Sequence, residues 1–160
     1  MNKNHNKELT KEEIVRKLEN YCAYRERCES EVRQKLYQLA VVAEETEYFL
    51  QYLREHHFLN EDRFVAAFAR GKFNIKGWGK QKIQQSLKAK NIDDKKIQYY
   101  IHQLDEGSYF LKLQDLLEKK SGKLKEEDSY KKRQKLIQFA LQKGYESGLI
   151  YEALKTMDLH

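Results

Sequence analysis

At 160 residues the chain has room for one modest domain or a short row of small repeated units. It has no proline and only 7 glycines, and it is rich in Lys, Glu, Gln, Leu and Tyr with little Val or Thr, which favours an all-helical chain over a sheet. The formal charge is +6, no run approaches the roughly 20 apolar residues that span a bilayer, and the polar start is no signal peptide, so a soluble, cytoplasmic protein without a membrane partner is expected.

Residues 1–9 read as a flexible tail. Thr10, with Glu13 three places on, is a capping box that opens a helix carrying Ile14, Leu18, Tyr21 and Cys22 and ending near Arg25. A second helix starts at Glu29 or Ser30, with Val32, Leu36 and Leu39 on one side. A third follows Glu44, Glu45 and Glu47, acids that suit a helix N-terminus, with Phe49, Leu50 and Leu53 inward.

The pattern then begins again. Asn60, Glu61 and Asp62 open a helix with Phe64, Ala67 and Phe68; another with Ile83 and Leu87 follows Gly77 to Gly79; a third with Ile97, Tyr100, Ile101 and Leu104 follows Asp93 and Asp94. The last set is less regular. Tyr109 to Lys120 reads as a helical spacer, the polar SGKLKEEDS stretch as its exit loop, and Leu136 to Leu141 as part of a helix capped by a left-handed Gly144. A final helix carries Leu149, Ile150, Ala153 and Leu154.

Aligning Leu36, Leu87 and Leu154 places Val32, Ile83 and Ile150 four residues earlier in each, which supports internal repetition. The expected architecture is all-α: three tandem three-helix, helix-turn-helix-like repeats over 10–58, 59–105 and 106–160, with a linker near 121–128 and about nine helices in an elongated, curved array.

No catalytic constellation emerges. The chain has no HExxH, no GxSxG and no Cys/His pair in a recognisable context. His56 and His57 are adjacent and diverge by about 100° on a helix, Cys22 and Cys28 lack metal or redox spacing, and the acidic pairs stand where helices begin. A non-enzyme without cofactor or metal is expected.

The distribution of charge is more informative. Between Ala69 and Ile92 there are Arg70, Lys72, Lys76, Lys80, Lys82, Lys88 and Lys90 and not one acid, a stretch that attracts polyanions or an acidic protein surface. Within it, Gly79-Lys80 is followed by Gln81 and preceded by no strand, so it is no phosphate loop of the Walker kind. Gly77, Trp78 and Gly79 read as a tight turn with Trp78 as an anchor. Trp78 and Phe73 are the aromatics expected to be exposed beside the basic loop, whereas Tyr21, Tyr52 and Tyr100 fall at core spacing.

Three segments in order, AYRERCESEVRQKL, YLREHHFLNEDRFVAAFARGKFNIKGWGKQKIQQSLKAKNID and RQKLIQFALQKGYESGLIYEAL, resemble the RecX family of regulators of bacterial RecA recombinase. Asn91 stands where that family usually has glycine, and asparagine tolerates the left-handed backbone such a turn needs. The resemblance implies a row of three-helix repeats that binds RecA and the RecA-DNA filament as a monomer. It further implies weak nonspecific DNA binding and inhibition of ATPase, strand exchange and coprotease activity by blocking extension or promoting disassembly. Candidate contacts are Arg70, Lys72, Lys76, Lys80 and Lys82, with Arg25, Arg27 and Arg33 as a further patch. The competing expectation is an autonomous helix-turn-helix-like DNA-binding protein.

Overall fold

A computed structural model describes residues 7–157, which contain nine α-helices and no strand. The first six are α1 (Lys11–Tyr24), α2 (Glu29–Gln38), α3 (Ala43–Glu55), α4 (Glu61–Asn74), α5 (Lys80–Ala89) and α6 (Asp94–Ile101). Then come α7 (Glu106–Lys123), α8 (Ser129–Lys143) and α9 (Ser147–Lys155). The chain is all-α and built of successive helix triplets.

Local chemistry sets the boundaries. Thr10 caps α1 by accepting from the Glu13 N–H at 3.2 Å, as its spacing predicts. Cys28 is the N-cap of α2, a role its sequence does not advertise; the Glu31 carboxylate reaches back to its N–H at 3.1 Å. Asn60 accepts from the Arg63 N–H at the start of α4, and Asp105 and Asp128 cap α7 and α8 in the same way.

Two packing units are present, one ending at Phe64 and the other beginning at Val65, so the boundary falls inside α4. In the first, Ile14, Leu18, Cys22, Val32, Leu36, Phe49, Leu50, Leu53 and Leu59 form the core. Leu9, expected in the flexible tail, packs against it; residues 1–6 lie outside the described residues. Burial pushes the Cys22 thiol up to about 11 and raises that of Cys28, so both are unreactive packed thiols at neutral pH.

In the second unit α7, α8 and α9 pack on one another and α5 packs on α6. The α7 segment is therefore no spacer, since Tyr109, Leu113 and Leu117 are all buried. It also runs through Lys123, leaving only residues 124–128 as the exit loop, because Ser121 and Gly122 continue a helix that has already buried its apolar side.

The repeats align differently from the apolar spacing. In α2, α5 and α8 the last turn closes with the same pair of features: a left-handed residue, and an N–H just beyond it that reaches back five positions. These are Ala40 with Val41 N–H to Leu36 O, Asn91 with Ile92 N–H to Leu87 O, and Gly144 with Tyr145 N–H to Ala140 O. Leu36 and Leu87 thus correspond to Ala140, whereas Leu154 belongs to the third helix of its triplet. An apolar pair four residues apart recurs on every amphipathic helix; the left-handed turn also closes α3, at His57 with Phe58 N–H to Leu53 O, so the register rests on its recurrence after the second helix of every triplet.

Candidate functional site

The stretch from Phe73 to Lys82, which turns from α4 into α5 within the second triplet, packs against the third. Gly77 has φ +68, as a tight turn requires, but Gly79 has an ordinary φ of −78. Its need for glycine is close approach: a Cβ there would sit 2.4 Å from the carbonyl carbon and oxygen of Gly144. The requirement is mutual. A Cβ on Gly144, itself at φ +97, would sit 2.4 Å from Lys82 Cβ.

Backbone and side-chain hydrogen bonds bind the two glycines' turns together. Gly79 N–H donates to Lys143 O at 2.7 Å and Gln81 N–H to Gly144 O at 3.0 Å. Lys80 N–H donates to the Tyr109 hydroxyl at 2.9 Å, and that hydroxyl donates in turn to the Glu146 carboxylate at 3.1 Å. Tyr145 donates to Gly77 O at 3.1 Å. Tyr109 and Tyr145 are 1% and 0% exposed, and burial raises the pKa of both. Phe73 stacks on Tyr109, so it is core and not the exposed aromatic its basic neighbours suggest.

The α5 N-terminus is consequently filled. The N–H groups of a free helix start attract anions, but here Gly79, Lys80 and Gln81 are all spent on the third triplet. The turn cradles no phosphate on its backbone; what it presents is lysine side chains.

Those lysines lack acid partners. Among the described residues no ion pair involves Arg70, Lys72, Lys76, Lys80 or Lys82. Lys72 and Lys82 Nζ lie 4.8 and 4.6 Å from the centre of the Trp78 ring, and Lys80 Nζ lies 4.6 Å from that of Tyr109. Trp78 is half-buried in a T-shaped contact with Phe68, and Arg70 and Lys76 are exposed. Two lysines that the sequence does not single out join them. Lys112 donates to Asn74 O and Lys143 to Lys76 O, both at 3.1 Å, on carbonyls at and just beyond the α4 C-terminus, where cations are favoured.

The arginine patch of the first triplet is of another kind. Arg27 is 8% exposed: its guanidinium lies 3.7 Å from the Tyr21 ring centre, and its Nε donates to Tyr21 O at 2.8 Å. It holds the α1–α2 corner, and Tyr21, half-buried, is its platform. Arg25 pairs with Glu31 at 2.8 Å, and Arg33 with Glu47 at 3.5 Å and Glu29 at 3.9 Å, while Arg54 also bonds Glu29 and Glu47.

Comparison with known proteins identifies the domains. The profile described as RecX, second three-helix domain, matches residues 60–99, and that described as RecX, third three-helix domain, matches 109–154. The chain belongs to the RecX family. Regulatory protein RecX of Oceanobacillus iheyensis is 30% identical over 140 residues, 87% of this chain and 51% of that protein. Its counterpart from Amycolatopsis mediterranei is 26% identical over 92% of this chain and 87% of that one. The chain thus spans about half the length of the first of these curated relatives. The crystal structure of RecX from Lactobacillus salivarius has a TM-score of 0.78 at 22% identity, covering 93% of this chain and 97% of that one. At that identity the likeness bears on the fold.

Among the described residues no three His, Cys, Asp or Glu side chains gather in a metal-holding cluster, and no helix is long and apolar enough to cross a membrane. His56 is engaged with Tyr52 O through Nδ1 at 2.8 Å, and His57 occupies a left-handed turn.

Proposed function

We propose that this chain is a non-enzymatic regulator of a RecA-type recombinase, acting in the cytoplasm as a monomer. It binds the RecA-DNA filament and lowers its ATPase, strand-exchange and coprotease activities by blocking extension or promoting disassembly. The observation that carries this reading is the run of uncompensated cations at Arg70, Lys72, Lys76, Lys80 and Lys82 within a RecX second domain. A filament of recombinase on DNA offers such a surface both acidic protein and phosphates.

The competing reading, a helix-turn-helix-like protein that reads duplex on its own, fits the geometry less well. A recognition helix leads with its N-terminal residues into the groove, and that end of α5 is packed against Gly144 and Tyr109. ATP hydrolysis by RecA on single-stranded DNA, followed with and without an equal amount of the chain, tests the proposal. Suppression is expected; an unchanged rate across equal and excess ratios overturns it.

A further inference from the structure

The turns that close the second helix of each triplet share a backbone but not a chemistry. Asn91 and Gly144, residues suited to a left-handed backbone, are followed by a buried Ile92 or Tyr145 and then by a carboxylate, Asp93 or Glu146, at the N-cap of the next helix. The first triplet has instead Ala40, a half-buried Val41 and then Val42 at the N-cap of α3. Alanine is strained in the left-handed region, and valine is among the poorest N-caps because it offers the free N–H groups no side-chain acceptor. Glu45 already stands at the third helical position, so a serine in place of Val42 would complete a capping box like that of Thr10 and Glu13. The core does not require the valine. Leu39 and Val41 pack inward, whereas Tyr37, Ala40, Val42 and Ala43 are exposed, Tyr37 by 83% and Val42 by 55%.

We propose that this turn, Tyr37 to Ala43, is a docking site for the protein of the recombinase filament, and that it takes a segment in which an apolar side chain is flanked by Lys or Arg. The assignment rests on the regulator reading and adds a contact made by a different part of the chain from the basic face. Charge selects the occupant. From Leu36 to Leu53 there is no Lys, Arg or His, while Glu44, Glu45 and Glu47 are all exposed, the reverse of the acid-free run from Ala69 to Ile92. Neither Glu44 nor Glu45 has an ion pair among the described residues. Through residue 64 the chain holds 11 Lys and Arg against 13 Asp and Glu, and beyond it 20 against 12. An acidic rim repels the phosphates of DNA or of an anionic bilayer and attracts the cations of a protein. Tyr37 supplies the residue type that anchors protein interfaces, a rigid ring with a polar tip. Two local preferences are given up together on one exposed turn, the pattern of a site kept for binding and not for folding.

Binding of the full chain to RecA, with and without single-stranded DNA, tests the assignment. Tyr37→Ser combined with Val42→Ser is expected to weaken binding to RecA roughly tenfold or more. Glu44→Gln combined with Glu45→Gln is expected to weaken it roughly threefold at low salt, a loss that fades as salt rises. Val42→Ser alone supplies the missing cap, so it is expected to raise the urea midpoint while weakening binding; a valine kept for folding gives the opposite sign. A Tyr37, Val42 double variant that binds RecA as tightly as the parent overturns the proposal, as does a lowered midpoint in Val42→Ser or a parent that does not bind RecA. Affinity of the same double variant for an oligothymidylate should equal the parent's, and a loss confined to that probe overturns the proposal as well. The regulator reading is separable: ATPase suppression with binding undiminished in the double variant sinks this site alone, and binding that the variant loses, in a parent that does not suppress hydrolysis, sinks the regulator alone.

Discussion

In the sequence, the arginines of the first triplet resemble the lysines of the triplet that follows: both are short runs of positive charge beside a turn. In the folded chain they are opposites. Arg27 is buried against Tyr21, and Arg25 and Arg33 are matched by Glu31, Glu29 and Glu47. Lys72 and Lys82 face aromatic rings and no acid, and Lys76 faces solvent. A basic residue informs about a partner only after its own chain's acids and carbonyls have been counted, and an arginine next to a tyrosine-bearing helix is readily absorbed as structure.

The most severe way to break the contrast is Gly79→Ala. The new methyl would collide with the Gly144 backbone, which cannot rotate away as a side chain can, so the last two triplets would have to part. A loss of about 3 kcal/mol is expected in urea unfolding of the second unit. Hydrogen exchange within α1 to α3 should retain its protection, since their core of Leu18, Leu36 and Leu50 is untouched. Equal loss of protection in both regions would contradict this.

Arg27→Ala attacks the other side of the contrast. It removes a buried ring contact and strands the Tyr21 carbonyl, a cost of about 2 kcal/mol by thermal or urea denaturation. At temperatures where the variant is folded, recombinase inhibition should be that of the parent. Charge reversal at Lys76 and Lys82 has the mirror-image expectation. Inhibition of RecA ATPase should weaken about tenfold, equivalent to about 1.4 kcal/mol, with stability falling by no more than about 1 kcal/mol, the worth of the Lys82–Trp78 ring contact, since neither lysine has a partner acid among the described residues. Inhibition that survives this double reversal would remove the face from the proposed function.

Much of the fold is legible because helix starts and stops are written locally. Thr10 with Glu13, Asp93 before α6 and Gly144 after α8 all stand where the structure has caps. The candidate face is half legible: the acid-free run is visible in the sequence, but its completion by Lys112 and Lys143 depends on helices 30 or more positions away, which no local pattern reports. Tyr109 and Tyr145 escape a sequence reading for the same reason. Their hydroxyls serve Lys80 N–H and Gly77 O across the triplet junction, and nothing around either tyrosine predicts it. The Leu154 alignment fails because apolar spacing says less about register than backbone conformation does, and only glycine or asparagine announces a left-handed turn.

Ala40 makes that last point quantitative. The same turn, with the same backward N–H contact, closes α2, α5 and α8 on Ala40 (φ 59), Asn91 (φ 61) and Gly144 (φ 97). Only the first lacks a residue suited to it. The left-handed region costs an L-residue with a Cβ roughly 1–2 kcal/mol, while glycine gives back roughly 0.4–1 kcal/mol through the greater freedom of the unfolded chain. Ala40 is exposed, so removing its methyl sacrifices no packing. Ala40→Gly should therefore stabilise the first unit by roughly 0.5–1 kcal/mol, Asn91→Gly should change the second by only a few tenths, and Gly144→Ala, which adds both strain and a clash with Lys82, should destabilise strongly. Urea midpoints for the three variants rank them. A destabilised Ala40→Gly would mean that the three turns share a shape without sharing an energetic constraint.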